Sequence, residues 1–507
     1  MHRILLIYPP WSRNSEPPLG LGLIQTFLNS RTFGKSADLA SRILDLNAEA
    51  AWQMAYRVQE DGTTRTHRAL LHRDEALQAL ASSSGYGQYD YYSRCMGFYA
   101  DLLHAASWNQ TWKLTPADFN DTRFNGFGPD TVDALLSEPE THPIIECCLD
   151  RLNESIREFR PTLTGISMTY RSQFIPGLLL AAIIRRIDPG IRICLGGAFI
   201  RNLHPDSRIR LEQQHIESTL ENGESYFGRR IGRVSGPIRP RVFVSPDFTG
   251  VNRSQYFSPV AIEPRITSRG CYWGRCAFCD ECREPFMTDS PGELTQYVST
   301  GPDSNPLLHL SDHAIPPAVL TAFIKSGRHV PWYGFMRPER RLTEPGFVSQ
   351  LAGSGCRMLQ LGFETPVQSL LDRMAKGTQA SDYPVIIENL KRFGIKCYAY
   401  MLFGYPGQTL ADAEAAVHFL ETSPPDFLNA ALFRMPPGSP LFHRSQKGLP
   451  DMPGRHRDRL YIEFEDPGVS MRNWRRWMAE RLNGSAVIRQ MEQKTPHYYK
   501  SSHAVFF

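Results

Sequence analysis

The stretch TSRGCYWGRCAFCDEC, residues 267–282, decides how the rest of the chain is read. Cys271, Cys276 and Cys279 follow the spacing Cys-x4-Cys-x2-Cys, and Cys282 comes three residues later. Three thiolates this close on one loop can each hold one iron of a cubane, leaving the fourth iron open to bind and reduce a substrate. Structural zinc is the competing reading, but its ligands usually come as two pairs separated by roughly a dozen or more residues. Here all four cysteines fall within twelve positions. Cys276, Cys279 and Cys282 form an alternative, evenly spaced trio.

On the carboxyl side, apolar strand-like runs alternate with helical patterns. Strands are expected near 260–266, 307–311, 332–336, 358–362, 396–403 and 428–434. Thr365, Pro366 and Gln368 read as N-cap, first-turn proline and capping-box partner, with Gly377 closing that segment after Lys376. Gly394 ends the helix containing 386–393. Six βα units, with no seventh or eighth, predict an open partial barrel over 259–450 whose site lies at the carboxyl ends of its strands. Residues 451–507, with Trp474 and Trp477 beside three arginines, predict a small appended helical region.

On the amino side, residues 1–225 show the same alternation: strands at 4–8, 42–46, 163–168, 191–195 and 215–220, helices at 21–28 and 174–187. This pattern predicts an α/β, doubly wound parallel sheet, whose ligands sit at the carboxyl ends of the strands. The loops there are 9–22, 167–172, 196–199 and 222–225, rich in small residues. A mostly helical, aromatic-rich insertion is expected at about 50–150, including Trp108 and Trp112. Residues 226–258 contain Pro237, Pro240 and Pro246 without periodicity and read as a linker. Its basic run, Arg229, Arg230, Arg233, Arg239 and Arg241, reads as a solvated surface.

The bulk numbers narrow the class. A chain of 507 residues exceeds the size at which single cores stop growing, about 250–300 residues, so two or three domains are expected. It is 41% hydrophobic and 21% charged, with no apolar run approaching the roughly 20 residues that span a bilayer. The opening MHRILLIYPP reads as a buried strand rather than a signal peptide, which predicts a cytoplasmic protein. Its net charge of +4 is spread over the chain and gives no concentrated face for nucleic acid. Ten cysteines are too sparse for a disulfide scaffold. Cys95, Cys147, Cys148, Cys194, Cys356 and Cys397 read as buried free thiols.

The cysteine loop resembles that of the radical S-adenosylmethionine superfamily, in which the loop follows the first barrel strand and an aromatic, here Phe278, precedes the last cysteine. The family's usual spacing has three residues between the first two cysteines and this chain has four. The family's position for the first ligand, directly after the strand and the SRG turn, favours Cys271 over Cys282. The likeness continues through HLSDHAIPP with Asp312, GFMRP with Arg337, QLGFETP with Glu364 and Thr365, MAKGT, and MLFGYPGQT, where Gln408 replaces the usual glutamate. The resemblance implies a 4Fe-4S cluster on Cys271, Cys276 and Cys279. It implies S-adenosylmethionine contacts from Phe278, Asp312, Arg337, Glu364 and Thr365. From the residues alone, Glu364 and Arg337 read equally as members of structural ion pairs.

IYPPWSRNSEPPLGLGLI ahead of a doubly wound domain that ends in LENGES resembles the cobalamin-binding class of the superfamily. The candidates for the cobalamin are Leu19, Gly20, Ser167, Met168, Thr169, Gly196, Gly197, Gly223 and Glu224. No Asp-x-His-x-x-Gly motif is present, so a histidine lower ligand is not implied. The implied activity is methylation of an unactivated carbon on a small-molecule or peptide substrate, with flavodoxin or ferredoxin as reductant. Two alternatives stay open: radical cyclisation or rearrangement without methyl transfer, and a non-catalytic sensor that binds cluster and cobalamin.

Overall fold

The computed structural model describes residues 2–30, 39–108, 110–124, 126–137, 142–232, 242, 244–281, 284–293, 306–445 and 468–507. Cys282, Arg233, Pro237, Arg239, Pro240 and Arg241 lie outside the described residues, as do 451–467 of the expected carboxyl-terminal region. The chain divides into two compact units, the first built on Met1–Ile262 with His497–Tyr499 and the second on the residues beyond Ile262. Among the described residues no helix is long and apolar enough to cross a membrane.

The first unit carries β1 (His2–Tyr8), β2 (Leu39–Asp45), a hairpin of β3 (Trp112–Leu114) and β4 (Phe119–Asp121), then β5 (Leu163–Ser167), β6 (Arg192–Gly196) and β7 (Ile216–Ser218). Five of these form a parallel sheet in the order β2-β1-β5-β6-β7. Ile4, Leu5, Leu6 and Ile7 are fully buried, as a strand covered on both faces requires. The helices Leu19–Asn29, Phe174–Ile187 and Gly223–Arg230 connect or flank the strands. The strand order reverses between β1 and β5, which makes the crevice beyond their carboxyl ends the ligand position of such a sheet. Among the described residues, the insertion between β2 and β5 is mostly helical apart from its hairpin, and Tyr92 and Tyr99 are buried within it.

Two of the boundaries that differ from expectation have a capping residue as their cause. Leu46 opens a helix, Leu46–Tyr56, instead of ending a strand, because the Asp45 side chain accepts from the backbone nitrogens of Asn47 and Ala48. Residues 226–230 belong to Gly223–Arg230, whose start is capped by Asn222 accepting from Ser225 N, so the first residues assigned to a linker are helical.

The second unit carries β8 (Ile262–Arg265), a short antiparallel pair of β9 (Ser268–Arg269) and β10 (Met287–Thr288), then β11 (Leu307–Leu310), β12 (Trp332–Met336), β13 (Cys356–Glu364), β14 (Lys396–Phe403) and β15 (Phe427–Leu432). Six strands form one sheet in the order β15-β14-β13-β12-β11-β8, and the pairs from β11 to β15 are parallel. The helix Met471–Gly484 buries Trp474 against Gly404 at the end of β14, and Trp477 lies 5.9 Å from the Phe403 ring. Gln408 Oε1 accepts from the backbone of Gly404 and Tyr405, so the residue that replaces the family's glutamate closes the turn there.

The capping box expected after β13 does not form. The helix is Gln368–Arg373 with Val367 as N-cap. Thr365 Oγ1 accepts from Val367 N, a tight turn that uses up its capping capacity before the helix starts. Gln368 instead bonds Asp372, Thr378 O and Ala380 N.

Candidate functional site

The cysteine loop is held near its start by Asp312, which follows β11, and farther along by the turn after the helix Gln368–Arg373. Between β8 and β9, Thr267 donates through its nitrogen and hydroxyl to Asp312 Oδ1, each at 3.0 Å, and Ser268 Oγ donates to the same oxygen at 2.6 Å. Burial raises the Asp312 carboxyl to about 6, against the lowering effect of these bonds. Asp312 therefore acts on the loop, its carboxylate already engaged. Gly270 turns the chain at φ +67, where a Cβ would meet the carbonyl oxygens of Glu284 and Pro285 at 2.7 and 2.8 Å.

Beyond Cys271 the loop docks on the turn after the helix Gln368–Arg373. Trp273 Nε1 donates to Ala375 O at 2.8 Å, Ala277 N donates to Met374 O at 2.8 Å, and Leu441 N donates to Ala277 O at 2.8 Å. Phe278 packs on an apolar cluster of Leu370, Met374, Tyr405, Phe433 and Met435. Cys271, Cys276 and Cys279 are partly accessible, whereas Cys95, Cys147, Cys148, Cys194, Cys356 and Cys397 are buried. Burial pushes the Cys276 and Cys279 thiols up, Cys279 to about 12, while the charges of Lys376 and Arg337 pull Cys276 down. Thiols in such surroundings become thiolates when a metal cation compensates them. Three accessible cysteines on one loop, with cations beside them, fit a cluster that takes one thiolate per iron. Among the described residues no three His, Cys, Asp or Glu side chains converge as on a single ion.

Lys376 joins the remaining candidates of this unit. Its Nζ lies 2.7 Å from Glu364 Oε1 and 5.7 Å from the centre of the Phe278 ring, and its carbonyl accepts from Arg337 Nη2 at 2.6 Å. Arg337 Nε donates to Glu339 Oε1 at 2.9 Å, and Tyr272 Oη donates to the same oxygen at 2.6 Å. Arg337 Nη1 is buried without a hydrogen-bond partner. Glu364 sits at φ +62, a left-handed conformation uncommon outside glycine. Phe278, Arg337, Glu364 and Cys276 thus share one neighbour, while Thr365 is fully buried and engaged in its own turn. Sequence reasoning passed over Lys376, Glu339 and Trp273. The MAKGT segment was the available signal for the first.

In the first unit, Ser167 and Gly196 end β5 and β6, Met168, Thr169 and Gly197 come directly after them, Leu19 and Gly20 open the helix Leu19–Asn29, and Gly223 and Glu224 open Gly223–Arg230. Gly197 adopts φ +95, and a Cβ there would fall 2.3 Å from Met168 O. The space around Gly20 is open to at least 4 Å, whereas a Cβ on Gly223 would strike Ile24 at 2.3 Å. The Met168 side chain is fully buried and packs beside Gly177, and its backbone is engaged as well, N donating to Gly196 O at 2.8 Å and O accepting from Phe199 N at 3.0 Å. Thr169 N donates to Gln173 Oε1 at 2.8 Å, which removes one of the loop's backbone donors.

No family model matches the chain. Bacteriochlorophyllide d C-12(1)-methyltransferase of Chlorobaculum tepidum is 26% identical over 153 residues, which cover 29% of this chain and 34% of that enzyme. The match therefore spans about a third of that relative's length. Among solved structures, the radical S-adenosylmethionine methyltransferase TsrM from Kitasatospora setae, with cobalamin and a 4Fe-4S cluster bound, superposes with a TM-score of 0.51 and 15% identity. That likeness covers 87% of this chain and 77% of TsrM. The cobalamin-dependent S-adenosylmethionine radical enzyme OxsB with aqua-cobalamin bound gives a TM-score of 0.60 at 11% identity, over 100% of this chain and 72% of OxsB. A likeness that runs through both parallel sheets identifies the fold of this chain as that of the cobalamin-dependent radical S-adenosylmethionine enzymes.

Proposed function

We propose that the chain is a cobalamin-dependent radical S-adenosylmethionine methyltransferase acting on an unactivated carbon of a small-molecule or peptide substrate. In this reading, residues 259–450 are the partial barrel, residues 1–225 the Rossmann-like cobalamin-binding domain with its insertion, and 451–507 the helical appendage. Cys271, Cys276 and Cys279 hold the cluster. Phe278, Arg337 and Glu364 contact S-adenosylmethionine, Asp312 holds the cluster loop in place, and Thr365, fully buried, supports the turn after Glu364. The loops with Leu19, Gly20, Ser167, Thr169, Gly196, Gly197, Gly223 and Glu224 receive the cobalamin, and Met168 is a buried part of their scaffold.

A cluster held by Cys271, Cys276 and Cys279 would supply the electron for reductive cleavage of S-adenosylmethionine, and a cobalamin held by the loops of residues 1–225 would supply methyl-transfer chemistry. The chain's own contribution is geometric. The Phe278 ring packs on an apolar cluster that steadies the loop, and Arg337, Lys376 and Glu364 are fixed as polar groups beside Cys276. The observation that carries the reading is the docking of the three-cysteine loop on the turn at 374–377, which brings Cys276 beside Arg337 and Lys376.

The second reading, radical cyclisation or rearrangement without methyl transfer, would use the same cysteine loop and the same residues around Arg337 and Lys376. Methyl-labelled S-adenosylmethionine separates the two. Label in the product is expected for methylation, and 5'-deoxyadenosine with an unlabelled product would contradict it. Flavodoxin or ferredoxin is the proposed electron donor.

A further inference from the structure

Four residues separate Cys271 from Cys276, and one of them, Trp273, is tied down on several sides. Its indole nitrogen is bonded to Ala375 O, and its ring fills the space that Gly377 leaves by having no side chain. The Arg337 guanidinium carbon lies 4.1 Å from the ring centroid. Arg337 is nearly fully buried, with Nε on Glu339 and Nη2 on Lys376 O. A planar cation with two edges bonded and one face on an indole cannot rotate. What remains is Nη1, buried with no hydrogen-bond partner. Leaving such a donor unpaired is unfavourable, and a bound acceptor would relieve it. Glu339 already shares its Oε1 with Tyr272, and a guanidinium edge matches the geometry of a carboxylate.

We infer that Trp273 is a positioning residue, holding Arg337 so that Nη1 is presented to the carboxylate of the methionine portion of S-adenosylmethionine. The inference rests on the proposed function. The longer interval between the first two cysteines then has a use, because it places an indole under the arginine. A carboxylate on the substrate is the other source of the same chemistry.

The test uses the anaerobically reconstituted full chain. Iron content and the electron paramagnetic resonance spectrum of the reduced cluster are recorded without ligand. S-adenosylmethionine and its decarboxylated analogue are then titrated calorimetrically into the wild type, Trp273→Leu and Trp273→Phe. Trp273→Leu is expected to keep iron and spectrum, and to bind S-adenosylmethionine about tenfold more weakly, with the decarboxylated analogue changed by less than about twofold. Trp273→Phe, which retains a ring face, should recover most of the loss. Equal weakening of both ligands, or an unchanged preference between them, overturns the inference. Should Trp273→Leu fail to hold iron, Trp273→Phe against wild type decides it, through a loss of about threefold confined to the carboxylate-bearing ligand. Wild type that binds both ligands equally moves the carboxylate to the substrate and overturns the assignment. Wild type that binds neither refutes the functional reading and this inference with it.

Discussion

Lys376 Nζ lies 2.7 Å from Glu364 Oε1, and both side chains are largely buried, 7% and 13% exposed. Removing one partner of such a pair leaves an uncompensated charge, which costs about 3–5 kcal/mol, more than the pair contributes when intact. Lys376→Met is therefore expected to lower stability by about 3 kcal/mol, and the double variant with Glu364→Gln to recover much of it. Urea unfolding measures both. A loss under about 1 kcal/mol, with no rescue, would mean that the pair is solvated in solution.

Gly377 is expected to tolerate no side chain. Its φ is +68, and a Cβ would fall 2.1 Å from the Trp273 ring. Gly377→Ala should lower stability by about 1–3 kcal/mol and displace the cysteine loop, so iron uptake on reconstitution should fall together with the melting temperature. Full iron uptake at wild-type stability would show that the loop does not depend on this contact.

A third expectation concerns Asp45, whose carboxyl burial raises to about 6 while hydrogen bonds from Tyr256, Ala48 and Asn47 lower it. A folded-state value above the unfolded one of 3.8 means that the fold takes up a proton. That contribution is fully present below the unfolded value and is lost as pH rises through about 6. At 1.36 kcal/mol per unit it is at most about 3 kcal/mol, reduced by the side chain's partial exposure. Asp45→Asn keeps the Oδ1 cap on Asn47 N and Ala48 N, and the Tyr256 hydroxyl can accept where it now donates. Stability of the variant should change less than that of the wild type between pH 4 and 7, with equal or higher stability at pH 7. A parallel pH profile would contradict this.

In the first unit, Gly197→Ala should abolish cobalamin retention while leaving iron uptake by the second unit intact. The substitution combines φ +95 with a 2.3 Å approach to Met168 O. Bound cobalamin is read by its visible absorbance after gel filtration. Retention at wild-type stoichiometry would place the cobalamin away from the β5 and β6 loops.

Strong local patterns carried through to structure. The expected strands 332–336 and 396–403 match Trp332–Met336 and Lys396–Phe403 end to end, and the helix 174–187 matches Phe174–Ile187, because unbroken apolar periodicity fixes burial. Gly377 and Gly394 lie in turns at positive φ, as their positions after helical segments imply. The Thr365–Gln368 capping box failed because Thr365 could satisfy a nearer backbone nitrogen, Val367 N, and a sequence pattern does not choose between the two. The cysteine spacing and Arg337 stood out in the sequence. Trp273, Glu339 and Lys376 did not, because their roles arise only when the ends of β12 and β13 bring three separate segments together. Asp312 was read as a contact to S-adenosylmethionine, whereas its engagement with Thr267 and Ser268 is a tertiary fact that no local pattern carries.

The central claim is that Cys271, Cys276 and Cys279 hold a cluster that cleaves S-adenosylmethionine, and one measurement tests it most directly. The protein is reconstituted anaerobically with iron, sulfide and hydroxocobalamin, reduced, and assayed for 5'-deoxyadenosine as wild type, Cys271→Ala and Cys282→Ala. Production by wild type and Cys282→Ala, with loss in Cys271→Ala, is the predicted result. Production that survives Cys271→Ala and disappears in Cys282→Ala would contradict the assigned ligands, and no 5'-deoxyadenosine from any of the three would contradict the proposed chemistry itself.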